Sequence, residues 1–214
     1  MKIIWLLCLL VGCSGYRFTQ QDNPLSQYGI ESLSVPMFYN FSNLPAVSAE
    51  FTRETYRLLT GFSGLKLVNG YKPSSDAVLI CIIKTPEKLA ETTRPLNQRV
   101  AKDRAGTSIG TSRGNFYIPS TTDVIMYLQV IVIKKPTEEE LTLLQSGIGE
   151  QVQKNSRVIF NELIPLRYTY TREILDGNGT QVVATQNQGV ERKSIREMST
   201  QAALSIRDMI FYAF

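Results

Sequence analysis

The sequence predicts an α+β fold, a mixed β-sheet packed by two principal helices in an α/β sandwich, with a long polar loop inserted. Three observations carry this. Ala77 to Ile83 and Val124 to Ile133 are apolar at nearly every position, as expected of central strands covered on both faces. Leu166 to Leu175 alternates, with Leu166, Tyr168, Tyr170 and Ile174 on one side and Arg167, Thr169, Thr171 and Glu173 on the other. Ile195, Met198, Ala202, Ile206, Met209, Ile210 and Ala213 recur at spacings of three and four, which draws one apolar stripe on a helix.

Taken in order, the chain opens on MKIIWLLCLLVGC. Lys2 and the free amine form a short basic start, and Ile3 to Val11 is unbroken apolar sequence. That run is far shorter than the roughly 20 residues a membrane-spanning helix needs and fits the core of a secretory signal. It ends on Leu10-Val11-Gly12-Cys13, which resembles a lipobox. Residues 1–12 are therefore expected to be a lipoprotein signal peptide and Cys13 the lipidated first residue of the mature chain. Two or more acyl chains hold a protein on a bilayer almost permanently, whereas one does not.

Residues 13–29 read as a polar tether, and 30–214 as a single α+β domain. Ile30 to Phe38 is expected to form a strand with Leu33, Val35 and Met37 on one face, and Pro36 places it near an edge or a bulge. Asn40 to Asn43 reads as a turn. Pro45 at a first helical position and Gly61 as a stop bracket a helix with Val47, Phe51, Leu58 and Leu59 inward. Leu65 to Val68 is a short strand. Thr85 to Asp123 is aperiodic and contains Gly106, Gly110 and Gly114, the mark of a long loop that is either functional or disordered. Thr137 and Glu140 form a capping box for a short helix ending at Gly147. Asp176-Gly-Asn-Gly179 predicts a hairpin turn, Thr180 to Thr185 the return strand, and Ser194 with Glu197 the capping box of the last helix.

The chemistry is limited by what is missing. The chain has no histidine, which removes the usual base for a serine nucleophile and the commonest zinc ligand. Gly106-Thr-Ser108-Ile-Gly110 and Gly110-Thr-Ser112-Arg-Gly114 match the nucleophile elbow, but both lie in polar sequence rather than between strand and helix. A dyad of one of these serines with Lys102 is the remaining catalytic alternative. Asp176 to Gly179 begins like a calcium loop but lacks its sixth-position glycine and twelfth-position glutamate. No catalytic residue, metal site or cofactor is expected, and the protein is read as a non-enzyme. Once Cys8 leaves with the signal and Cys13 carries lipid, Cys81 stands alone in an apolar run, a small core residue rather than a reactive thiol. The formal charge of +4, reduced to +3 without Lys2, gives no concentrated basic face of the kind nucleic acid requires.

Cys13-Ser-Gly15-Tyr16-Arg-Phe18, Ile30 to Val35-Pro36-Met-Phe38, Asn40-Phe-Ser-Asn43-Leu-Pro45, Leu65-Lys-Leu-Val68 and Ser75-Asp76-Ala-Val-Leu79 follow one another in that order. In this order behind a lipobox they resemble the LPS-assembly lipoproteins, the LptE family, over about 70 residues. Ser14 and the Thr85 to Asp123 and Thr137 to Leu163 segments depart from that pattern. The resemblance implies an outer-membrane lipoprotein facing the periplasm. It implies a plug inside a large LptD-like β-barrel, which assists assembly of that translocon and delivery of lipopolysaccharide to the outer leaflet. From Lys84 to Arg113 seven cations face three acids. Arg94, Arg99, Lys102 and Arg104 are thus the candidate contacts to lipopolysaccharide or the barrel wall, each worth about 1 kcal/mol near an anionic surface. A pilotin or scaffold lipoprotein of another envelope machine, a secretion channel or a cell-wall synthase, is the alternative.

Overall fold

A computed structural model describes residues 21–101, 116–146, 157–172 and 180–212. The elements run β1 (Gln21–Asp22), a 3-10 helix (Pro24–Tyr28), β2 (Ser32–Val35), β3 (Tyr39–Phe41), α1 (Val47–Leu59), β4 (Phe62–Ser63) and β5 (Lys66–Asn69). Then come β6 (Ala77–Lys84), the single turn α2 (Leu89–Thr92), β7 (Thr93–Ala101), β8 (Phe116–Lys134), α3 (Glu138–Gln145), β9 (Val158–Thr171) and α4 (Thr180–Tyr212). The class is the expected one: a seven-stranded mixed sheet with α1 and α4 as its principal helices.

The sheet is organised around β8, whose 19 residues extend about 60 Å at a strand's rise. On one edge it pairs antiparallel first with β7, from Phe116 to Val124, and then with β6, from Tyr127 to Lys134. On the other edge it pairs antiparallel with β9 from Thr121 to Ile133. Beyond β6 lie β2 and β3, both parallel to it, and β5 is parallel to β2. Pro165 within β9 removes one backbone donor from that edge strand.

The unbroken apolar run of β6 has a direct cause. Ala77, Leu79, Cys81 and Ile83 enter the main core with Phe51 and Leu59 of α1 and Met198, Ala202, Ile206 and Ile210 of α4. Val78, Ile80 and Ile82 point the other way, into a second core closed by Leu141 and Leu144 of α3. The capping box of α3 is present, with the Thr137 hydroxyl accepting from the Glu140 amide and the Glu140 carboxylate from the Thr137 amide. The alternation of β9 also holds: Leu166 and Tyr170 are buried and Arg167, Thr169 and Thr171 exposed. Cys81 is buried, and desolvation pushes its thiol well above the ordinary range.

Several expectations are corrected. The second half of the expected tether, from Gln21, belongs to the fold: Leu25 is wholly buried in the main core, and the Asn23 side chain both caps the 3-10 helix at the Leu25 amide and donates to the Ile30 carbonyl. The strand expected over Ile30 to Phe38 is confined to Ser32–Val35, because Pro36 cannot extend the ladder. Met37 consequently turns outward, 63% exposed, and the expected turn at Asn40 begins as a strand, Tyr39–Phe41. Pro45 precedes rather than opens α1, since Ala46 takes a left-handed conformation, φ 59°, ahead of Val47.

Among the described residues, the expected loop from Thr85 to Asp123 is mostly β7 and the first half of β8, a ribbon. Residues 94 through 97 are exposed, so no apolar alternation marked it, and bulges at Pro95 to Gln98 break the register further. The return strand at Thr180 to Thr185 is helix, the start of α4; the Asp176 to Gly179 turn lies outside the described residues. Ser194 is no cap. It sits inside α4, buried, its hydroxyl donating to the Glu191 carbonyl.

Candidate functional site

Two surfaces come from this arrangement. The first is the β7–β8 ribbon, which runs past the end of β9: the last β9 pair is Thr121 with Thr171, while β7 and β8 stay paired to Ala101 and Phe116. At its base Arg94 lies in register with Asp123. Asp123 is 1% exposed, and its carboxylate accepts from Arg167 Nε at 2.7 Å and Thr169 Oγ1 at 2.9 Å. A buried carboxylate held by a guanidinium and a hydroxyl ties β8 to β9 where the ribbon departs. Arg94, exposed beside it, has no carboxylate partner among the described residues. The ribbon is also pinned from behind, as the Asn43 amide side chain donates to the buried Thr92 hydroxyl at 3.1 Å.

Of the candidate cations, Arg94 and Arg99 are both on β7, Arg99 in register with Ile118. Lys102 and Arg104, the serines Ser108 and Ser112, and Cys13 lie outside the described residues. The backbone thus brings Arg94 and Arg99 onto one ribbon. Reading the segment from sequence as a loop found the charge but missed the strand that carries it.

The second surface went unnoticed in the sequence. On the sheet face that bears α3, Leu141 and Leu144 of the helix close the second core over Val78, Ile80, Ile82, Ile131 and Ile133. Beside that core Phe41, Lys84, Tyr127 and Pro165 are successive partners across β3, β6, β8 and β9, and Tyr39, Ile82, Gln129 and Leu163 form the neighbouring row, in which Ile82 and Gln129 are buried. Phe41 is 48% and Leu163 56% exposed. Lys84 donates to Gln129 Oε1 at 3.0 Å, and Gln129 Nε2 to Asn161 Oδ1 at 3.1 Å. The Lys84 charge therefore meets a neutral amide. Only strand register, invisible without the pairing, assembles this row from four distant segments.

Two open depressions also lie among the described residues. One of about 530 Å³ is lined by Glu31, Ser32, Gly64, Leu65, Lys66 and Asp76. The hydroxyl and amide of Ser32 and the amide of Glu31 all donate to the Asp76 carboxylate, holding it below its ordinary range. The other, about 550 Å³, lies between Met37, Tyr56 and Asn69 with Arg53 and Arg57 at its rim. Those arginines are engaged by Glu54: burial raises its carboxyl, and the hydrogen bonds from Arg57 and Arg53 outweigh this and lower it. Neither depression pairs a nucleophile with a base. Among the described residues no group of three or more metal-ligating side chains converges, and no helix is long and apolar enough to cross a membrane.

No family model and no curated protein matches the chain. Solved structures align along most of it. Lipoprotein GNA1162 from Neisseria meningitidis is 8% identical over 76% of this chain and 96% of its own, with a TM-score of 0.35. Rare lipoprotein B from Shewanella oneidensis is 13% identical over 84% and 92%, with a TM-score of 0.33. A protein assigned as a lipoprotein from Caulobacter crescentus is 7% identical over 81% and 87%, with a TM-score of 0.39. These neighbours are bacterial lipoproteins by description, and at such scores none carries an inference about the site.

Proposed function

We propose that this chain is a lipoprotein of the bacterial outer membrane, anchored through acyl chains on Cys13. In this reading it is a non-enzymatic partner of an LptD-like β-barrel, plugging the barrel, assisting its assembly and helping to deliver lipopolysaccharide. The observation that carries the reading is Leu10-Val11-Gly12-Cys13 closing a short apolar run at the N-terminus, followed by the ordered motifs that resemble the LptE family. The α+β sandwich is consistent with it. So is the ribbon, which carries Arg94 and Arg99 on β7 and runs past the end of β9.

The chemistry needed is recognition rather than bond-making. Guanidinium and ammonium groups bind phosphate and carboxylate by charge-assisted hydrogen bonds, strongest where water is excluded. The anchor confines the domain to the membrane, so its affinity for a membrane partner is multiplied by a high local concentration. Labelling cells with a palmitate analogue tests the first half of the reading. The chain incorporates it, and Cys13→Ala abolishes incorporation and releases the protein from the membrane fraction. An unlabelled wild-type chain contradicts the proposal.

A further inference from the structure

We propose that the Tyr212 end of α4 rests in the headgroup layer of the membrane that holds the Cys13 anchor, Phe211 and Tyr212 forming a second contact that stands the domain upright. The inference rests on the lipid-anchor reading and is independent of which barrel the domain serves.

The course of α4 brings its Tyr212 end to the side of the domain that the anchor approaches. Glu191 meets Arg172 and Tyr170 at the Thr171 end of β9. From Glu191 to Tyr212 the helix extends about 31 Å at its usual rise. Along the way it packs on α1 and on the 3-10 helix, and its Ile206 and Ile210 share the main core with Leu25. The 3-10 helix sits at the opposite end of the sheet, where Lys134 Nζ donates to the Tyr28 carbonyl at 2.5 Å. Measured along β8 from Thr122, the partner of Tyr170, to Lys134, that end is about 40 Å away. β1 lies there too, with Gln21 in register with Phe62 just after α1. Cys13 precedes Gln21 by eight residues, which no conformation stretches beyond about 28 Å.

The surface at this end suits a lipid interface. Tyr212 is 81% exposed, the most of any large apolar side chain among the described residues, and the exposed Phe211 ring meets it edge to face at 5.6 Å. Ile210 beside them is buried, so the pair stands on a seated turn of helix. Aromatic rings, and above all one with a hydroxyl at its tip, favour the headgroup layer, where one side is apolar and the other wet. Charge adds little. Arg207 is paired with Asp208 at 2.7 Å and Lys134 is taken by the Tyr28 carbonyl, so the contact does not require anionic lipid. An upright domain holds Leu96 of the ribbon, level with Thr121 and Thr122, roughly 40 Å along β8 from the anchored end.

Trp5 is the only tryptophan and belongs to the expected signal peptide, so one introduced into the mature chain reports alone. The full chain carrying Tyr212→Trp is lipidated in cells, purified, and reconstituted into phosphatidylcholine vesicles brominated high on the acyl chains. It is expected to lose roughly half or more of the emission seen in unbrominated vesicles. Leu96→Trp, also at an exposed position, is expected to lose less than about a tenth, since bromine quenches only within the bilayer it occupies. Palmitate labelling reads the anchor separately. A labelled chain whose Tyr212→Trp is quenched no more than Leu96→Trp overturns this inference alone, and an unlabelled chain overturns the anchor and this inference with it.

Discussion

Leu25→Ala decides whether the residues before β2 are a leash or part of the domain. Leu25 is wholly inaccessible, held in the main core by a 3-10 helix that Asn23 caps and Gly29 closes at a left-handed φ of 67°. Truncating such a leucine removes its transfer free energy and leaves a cavity, at a cost of about 2–5 kcal/mol. For a domain of this size each kcal/mol lowers Tm by roughly 2–4 °C, so the variant is expected to melt about 4–20 °C below the parent. Thermal unfolding followed by far-UV circular dichroism, with a urea midpoint at 25 °C, measures both. A change in stability below about 0.5 kcal/mol would refute the reasoning and return the segment to the tether.

Other outcomes follow from the same packing. Ser194→Ala is expected to change stability by less than about 0.5 kcal/mol, because a mid-helix serine lacks the roughly 1 kcal/mol of an N-cap, while Met198→Ala one turn on costs about 2–5 kcal/mol; chemical denaturation separates the two. Cys81 is expected to resist a thiol reagent at pH 8 in the folded protein and to react at once in urea, since burial raises its folded pKa. Asp76 has a folded pKa below its unfolded value, so its stabilisation is present above about pH 4 and is lost as pH falls through the folded value. Asp76→Asn should flatten that acid limb of a stability-against-pH curve. Reversing Arg94, Arg99, Lys102 and Arg104 to glutamate together is expected to reduce lipopolysaccharide binding and barrel co-purification by at least ten-fold on the order of four lost contacts, and undiminished binding removes those residues from the site.

What was legible in the sequence was whatever burial forces into a pattern. β6 and the second half of β8 announce themselves because both of their faces are covered, and β9 because one is. The apolar stripe of α4 from Met198 to Ile210 is read correctly for the same reason. The first half of α4 is polar around Asn187, Gln188 and Gly189, so helix there left no periodic trace, and Ser194 with Glu197 imitated a cap inside it. The ribbon escaped for the complementary reason: among the described residues β7 pairs only with β8, and its exposed positions carry Arg94, Pro95, Leu96 and Asn97 without alternation. At the candidate site, Arg94 and Arg99 were chosen for charge alone, and the strand they share came from the pairing. The row of Phe41, Lys84, Tyr127 and Pro165 had no local signal, because it exists only in the register between strands.

The central claim is that the Cys13-anchored domain serves a lipopolysaccharide-translocating barrel. Purifying the full-length lipidated protein from envelope extract in mild detergent, and identifying the integral membrane protein that accompanies it in equal amount, tests this most directly. A large β-barrel of the lipopolysaccharide pathway is the expected companion. A secretin or a cell-wall synthase in its place contradicts the claim.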